Sequence, residues 1–187
     1  MSLLSDVEIL DEIKKGELRI EPFDRKMLGP DSIDIKLSGE LLVAKKVGRV
    51  LDPAKKENEF FEKVKIPDEG FVLKCGMFVL GSTEEKIGLS DSIAAQIEGR
   101  SSIGRYGIVV HMTAGIIHAG FGAKTPSTLT LEISSVNPND VLLRKGMKIA
   151  QLSFFKLNRK ASTGYDFKEG SKYVSQTAPQ APKVYMD

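Results

Sequence analysis

Three stretches of the chain hold residue types that could do chemistry. The first runs Glu98-Gly99-Arg100-Ser101-Ser102-Ile103-Gly104-Arg105-Tyr106-Gly107. In a tight turn, backbone N–H groups, hydroxyls and guanidinium forks together cradle an anion. The same residues suit a surface turn with two solvated arginines, and composition alone does not separate the two readings. The second is Thr128-Leu129-Thr130-Leu131-Glu132-Ile133-Ser134. Extended backbone puts Leu129, Leu131 and Ile133 on one face and Thr128, Thr130, Glu132 and Ser134 on the other. A carboxylate flanked by hydroxyls either lines a cleft, where it can move protons, or sits on a wet sheet face. The third, Val109 to His118, sets His111 in an apolar run, either as a satisfied core histidine or as a ligand.

These groups need elements to position them. Ser5 and Glu8 form a capping box, and Val7, Ile9, Leu10 and Ile13 make a helical apolar stripe. Lys14 and Lys15 suit the C-terminal dipole and Gly16 ends the run, so the pattern predicts a helix over 5–15 that packs rather than reacts. After Gly29-Pro30 the period becomes two. Strands are expected over 33–37, 40–44, 71–74, 77–80, 93–97, 107–112, 128–134 and 148–155, punctuated by Gly, Pro, Asn and Asp. Many short strands at this spacing predict a mainly β barrel or jelly roll with little helix. The segment 55–65, charged but holding Phe60-Phe61, fits a strand, a short helix or an insertion. From Asn158 the apolar pattern thins. Residues 1–158 thus read as a β domain with an N-terminal helix, and 159–187 as a tail that is either featureless or orders over a ligand.

Composition narrows the function classes. The chain has 187 residues, 41% hydrophobic and 28% charged, with formal net charge +2 from 27 basic and 25 acidic residues. That near balance is wrong for a protein living on phosphate backbone, and 7% aromatics without Trp make a poor stacking platform, so no nucleic-acid partner is expected. Cys75 is the single cysteine and allows no internal disulfide. With His111 and His118 it makes only three Cys and His residues, too few for a closed zinc site built from them, and the zinc-deaminase signature cannot be written. No stretch approaches the ~18 apolar residues of a membrane span. The early Asp6, Glu8, Asp11 and Glu12 do not suit a targeting peptide, so a cytoplasmic protein without a membrane partner is expected.

The runs EGRSSIGRYGIVVHMTAG, TLTLEI and GMKIAQLSFFKL resemble the dCTP deaminase family of the dUTPase-like superfamily. LGPDSIDIKL near the start and GYDFKEGSKYVSQ near the end match it too, in the same order, so the resemblance covers roughly residues 5–180. It implies a dUTPase-like jelly roll or distorted barrel with one or two short helices, assembled as a homotrimer or hexamer with active sites between subunits. It implies dCTP as substrate, dUTP and ammonia as products, no zinc, and magnesium entering on the nucleotide phosphates. Some relatives continue to dUMP and pyrophosphate, and dTTP inhibits several. By position, Glu132 becomes the carboxylate that activates water against cytosine C4 and then shuttles protons. A free glutamate titrates near ~4.3, so the site must place it well or raise its pKa. Ser101 and Arg105 become its polar helpers, and the Ala114 carbonyl an acceptor for water or the exocyclic amine. Arg100, Ser102, Ile103 and Gly104 become the phosphate cradle, and Thr130 and Leu131 read the base edge through their backbone. Tyr165, Lys172 and Gln176 close over the nucleotide, the last two reaching phosphate.

The pattern departs in two places. Ile117-His118-Ala119-Gly120-Phe121 has His118 where the family normally has Asp against the deoxyribose 3′-hydroxyl. Imidazole can bond a hydroxyl but lacks a fixed negative charge, which counts more against triphosphate hydrolysis than against deamination. The 121–127 loop is also longer than usual. Deamination to dUTP is therefore the first expectation. A bifunctional deaminase–diphosphatase or dUTPase is the alternative, and a nucleotide-binding homologue with altered catalysis the reading from another class.

Overall fold

The computed structural model describes residues 2–187. The chain runs β1 (Ser2–Leu3), α1 (Asp6–Lys15), β2 (Leu18–Glu21), β3 (Ile33–Lys36), β4 (Glu40–Ala44), β5 (Phe61–Lys65), β6 (Phe71–Leu73) and β7 (Phe78–Ser82). It continues with β8 (Lys86–Leu89), β9 (Ile93–Gly99), α2 (Ser101–Gly104), β10 (Ile108–Val109), β11 (Ile116–Ile117), β12 (Thr130–Ser135), β13 (Val141–Leu143) and β14 (Lys148–Lys156). Short 3-10 turns stand at Arg25–Met27, Tyr165–Phe167 and Val184–Met186.

Helix α1 starts on the predicted capping box, with the Ser5 N–H donating to Glu8 Oε2 at 2.8 Å, and ends on Gly16 at φ +76°. Its buried face differs from the predicted stripe. Val7 is 62% exposed, while Glu12 is covered. That carboxylate is tolerated because Lys156 and Lys15 donate to its two oxygens at 2.9 and 3.0 Å.

Two five-stranded sheets enclose the core. One is ordered β1-β14-β9-β11, with β3 also on β14; the other is β10-β12-β7-β4-β5. Strand β14 is the spine of the first, and pairs antiparallel with β9 from Ala150↔Gly99 to Lys156↔Ile93. Leu152 and Phe154 from β14, Ile93 and Ala95 from β9, and Leu131 and Ile133 from β12 belong to one continuous apolar cluster. Alternating sequences produce this because each strand buries alternate residues between the sheets. The fold is mainly β, as expected. The additional strands β2, β8 and β13 are short, and form two-stranded ribbons β2-β8 and β13-β6 that their sequences do not announce.

The undecided 55–65 segment resolves into an excursion followed by β5, an edge strand registered Ala44↔Phe61 through Glu40↔Lys65. Arg49 ties the excursion down through Glu57 at 2.7 Å and through Glu59. The Arg49 guanidinium, helped by the Asp52 N–H, holds the Glu57 carboxyl below its ordinary range. The tail beyond 158 forms no strand, yet it docks. Ala161 N–H donates to the Asp91 carbonyl at 2.9 Å and Tyr165 N–H to that of Ala119 at 2.8 Å. Among the described residues no helix is long and apolar enough to cross a membrane.

Candidate active site

Strand β12 places the carboxylate singled out by sequence. Leu131, Ile133 and Ser135 point inward and are fully buried, so Glu132 points the other way. Its backbone N–H donates to the Val110 carbonyl at 3.0 Å, and its Oε2 accepts the Met112 N–H at 2.7 Å. The loop between β10 and β11 therefore grips one oxygen of Glu132. Oε1 has no protein partner among the described residues.

Glu132 stands in the wall of a cavity of about 590 Å³. His111, Ala114, His118, Thr130, Tyr165 and Gln176 share that wall. So do Phe60, Phe61 and Phe78, whose rings pack in sequence with centroids 4.2 and 6.4 Å apart. The cavity is thus mainly apolar and aromatic, with one carboxylate and a few amide and hydroxyl groups, the lining that holds a flat ligand and fixes its orientation. A second cavity of about 670 Å³ adjoins it, sharing Ile116, His118, Tyr165 and Tyr173. Lys168, Glu169 and Lys172 line this second space. His118 and Tyr165, stacked with centroids 6.0 Å apart, form the neck. The aromatic wall on one side of that neck suits a planar group, and the other side sets two ammonium groups beside the Glu169 carboxylate.

The other predicted group lies elsewhere. Arg100 through Arg105 form the approach to and the single turn of α2, not a bare loop, and none of the six lines either cavity. Ile103 anchors the turn in the core, while Ser101, Ser102, Gly104 and Arg105 face solvent. Arg100 is held by Asp34, whose Oδ1 accepts from Nε at 2.8 Å and whose Oδ2 accepts from Lys148 at 2.9 Å. Within one chain, Ser101 and Arg105 therefore do not flank Glu132. The reason is topological: β9 runs straight into α2, and the turn is left displayed at the strand's end.

Other assigned residues take positions the sequence did not show. Leu131 is fully buried and outside the cavity wall. The Thr83 N–H donates to the Leu129 carbonyl, so strand alternation turns the Leu131 backbone toward β7 as well. Gln176 is 4% exposed; its Nε2 donates to the Thr128 carbonyl at 2.6 Å and its Oε1 lies 3.4 Å from Thr130 Oγ1. It staples the tail to β12, and its carboxamide is not turned to an anion. The Lys172 ammonium pairs with Asp187. His111 is half-buried, with Nε2 3.4 Å from Glu98 Oε2. A hydrogen bond from Gln96, then the His111 contact, holds the Glu98 carboxyl below its usual range against some burial. Phe60, Phe61, Tyr173 and Gln180 are wall residues that sequence reasoning did not assign. The Phe60-Phe61 doublet inside a charged stretch was the one available signal.

Residues 3–157 match the dCTP deaminase-like family. Over nearly its full length the chain is also similar to proteins named dCTP deaminase, dUMP-forming. The one from Beutenbergia cavernae is 42% identical, covering 98% of this chain and 95% of its own. That from Dictyoglomus thermophilum is 41% identical, covering 99% and 96%. The solved 2′-deoxycytidine 5′-triphosphate deaminase from Agrobacterium tumefaciens superposes with a TM-score of 0.62 at 25% identity, over 81% of this chain and 47% of that one, so this chain spans about half its length.

Proposed function

The chain belongs to the dCTP deaminase-like family, and we propose that it deaminates dCTP and carries the product on to dUMP. One water adds across C4 and ammonia leaves, giving dUTP. A second water cleaves the α–β phosphoanhydride, giving dUMP and pyrophosphate. The names of relatives at 41–42% identity over nearly the whole chain favour this two-step outcome over release of dUTP, the first expectation. His118 is the residue that has to serve the second step without the usual carboxylate.

The observation that carries the proposal is Glu132, gripped through Oε2 by the Met112 N–H and facing an aromatic cavity. In the proposed mechanism Oε1 takes a proton from water, and the hydroxide adds to C4 of the base. Glu132 then returns that proton to N3 and moves a second one from the added hydroxyl to the departing amine. One group alternates as base and acid, without zinc. The Ala114 carbonyl accepts from the water or the amine, and Thr130 meets the base edge on the side of β12 away from β7. Magnesium enters as part of the substrate, on the triphosphate oxygens.

Ser101 and Arg105, with the Arg100, Ser102, Ile103 and Gly104 cradle, act on this cavity from a neighbouring copy in a cytoplasmic homotrimer. What supports this reading is that the turn is exposed, already ordered by Ile103 and Asp34, and absent from its own chain's cavity walls. A guanidinium arriving there would face the charged tetrahedral state.

The test is chromatography of products after incubation with dCTP, dUTP or CTP plus magnesium. Dilute enzyme should yield dUMP, ammonia and pyrophosphate from dCTP, and Glu132→Gln should form them about 10³-fold more slowly. Accumulation of dUTP would reduce the reading to deamination alone. Binding of dCTP without turnover by the unmodified protein would favour a homologue with altered catalysis.

A further inference from the structure

We propose that Asp166 is a positioning residue that latches the C-terminal tail to the 121–127 loop, setting the tail over the site before nucleotide arrives. This rests on the reading of the tail as the segment that closes on nucleotide. Asp166 is only 3% exposed, yet among the described residues no ion pair reaches its carboxylate. Its Oδ1 accepts the Gly122 N–H at 3.2 Å and its Oδ2 the Lys124 N–H at 3.1 Å. From the opposite side, the Arg19 guanidinium on β2 donates to the Gly122 and Ala123 carbonyls at 2.8 and 2.6 Å. The loop's N–H groups thus meet a fixed negative charge and its carbonyls a fixed positive one. Its peptide dipoles are clamped between the tail and β2.

Backbone and ring contacts make the same junction. Asp166 N–H donates to the Gly120 carbonyl at 3.2 Å, beside the Tyr165–Ala119 bond. Lys124 Nζ lies 4.8 Å over the Phe167 ring, and the Phe121 and Tyr165 rings stand 5.8 Å apart. Gly120, at φ +83°, packs so closely on Gly164 that a Cβ would collide with that backbone. Loop and tail are therefore one packed unit, and its two ends carry His118 and Tyr165, the stacked pair at the neck between the cavities. Lys172 and Gln176 follow Asp166 along the same tail, so the latch fixes where they begin. Asparagine cannot replace the latch in full, because its amide nitrogen would face one of the two N–H groups it must accept.

The experiment is hydrogen–deuterium exchange on the full-length, nucleotide-free protein, with steady-state kinetics on the same samples. In Asp166→Asn, peptides spanning 119–127 and 164–176 should exchange about tenfold faster together, while β9 and β14 keep their protection. The KM for dCTP should rise about tenfold with kcat within about twofold, because the tail must then be ordered at the expense of binding. A residue that merely supports the fold would loosen β9 and β14 as well, or lower kcat. Asp166→Glu keeps the charge but displaces it, and should give the same paired loosening at smaller amplitude, which decides the matter if the asparagine variant does not fold. Unchanged exchange, loosening of loop or tail alone, or a fall in kcat at constant KM would overturn the latch. The exchange arm needs no nucleotide, so its result stands whether or not dCTP is the substrate.

Discussion

The Glu132 cavity and the Arg100–Arg105 turn are both polar sites raised on the same β scaffold, but they are built in opposite ways. The cavity is assembled from distant pieces of one chain: β12, the loop after β10, the aromatic pair at the start of β5 and the tail. The turn is a single local piece, anchored by Ile103 and by Asp34 on Arg100, with its hydroxyls and Arg105 turned to solvent. One region encloses a volume and the other presents a surface. Under the proposed assembly they are the two halves of one site, and the contrast teaches how a fold could finish one half internally and leave the other for a second copy to complete.

The largest expected effect strikes the enclosed half. Glu132→Gln should cut ammonia release from dCTP by about 10³-fold, in the range of a lost general base, while calorimetry still detects nucleotide binding. Full turnover by that variant would remove the carboxylate from the mechanism. Next comes the displayed half. Arg105→Ala should lose about 10²-fold in kcat with an unaltered melting temperature, since the side chain is exposed. Mixing the two inactive proteins, Glu132→Gln and Arg105→Ala, through unfolding and refolding sharpens the comparison. Sites that span copies should regain about a quarter of the wild-type rate, because that fraction of random neighbours pairs an intact Glu132 with an intact Arg105. Sites contained in one chain would regain nothing.

A smaller effect is expected where the turn is tethered. Asp34→Asn should raise the KM for dCTP about tenfold, by freeing the Arg100 fork from its carboxylate, and leave the kcat nearly untouched. Smallest is a stability effect remote from both regions. Glu85 is fully buried, with Oε2 on the Lys36 N–H at 2.9 Å and Oε1 without a partner among the described residues. Burial pushes its carboxyl pKa up. An acid raised in the folded state favours folding below its unfolded pKa and loses that contribution as pH climbs through the folded value. Thermal melts should therefore show Glu85→Gln more stable than wild type at pH 8 by a few degrees, with the gap closing toward pH 4. A constant gap across that range would mean Glu85 does not titrate on unfolding.

Local patterns in the chain were readable where local physics decides them. Ser5 and Glu8 announce α1 because a capping box satisfies the same N–H groups wherever it occurs. The Leu129, Leu131 and Ile133 alternation announces β12 and sends Glu132 to the other face. Val7 defeats the same logic: its spacing fits the stripe, but the docking angle of α1 buries Glu12 instead, once Lys156 arrives from β14. Gln176 was legible as a tail residue of interest and illegible in its partner, since Thr128 lies 48 positions away.

The sequence by itself determined the element types, the face on which the carboxylate stands and, through its motifs, the family, because periodicity and caps act over a few residues. Tertiary structure alone decided that Phe60, Phe61 and Tyr173 wall the cavity, that Asp166 holds the long loop, and that the Arg-Ser-Ser turn lies outside its own chain's pocket. Those outcomes depend on how sheets close and where loops return, and no short window of sequence contains both partners of such a contact.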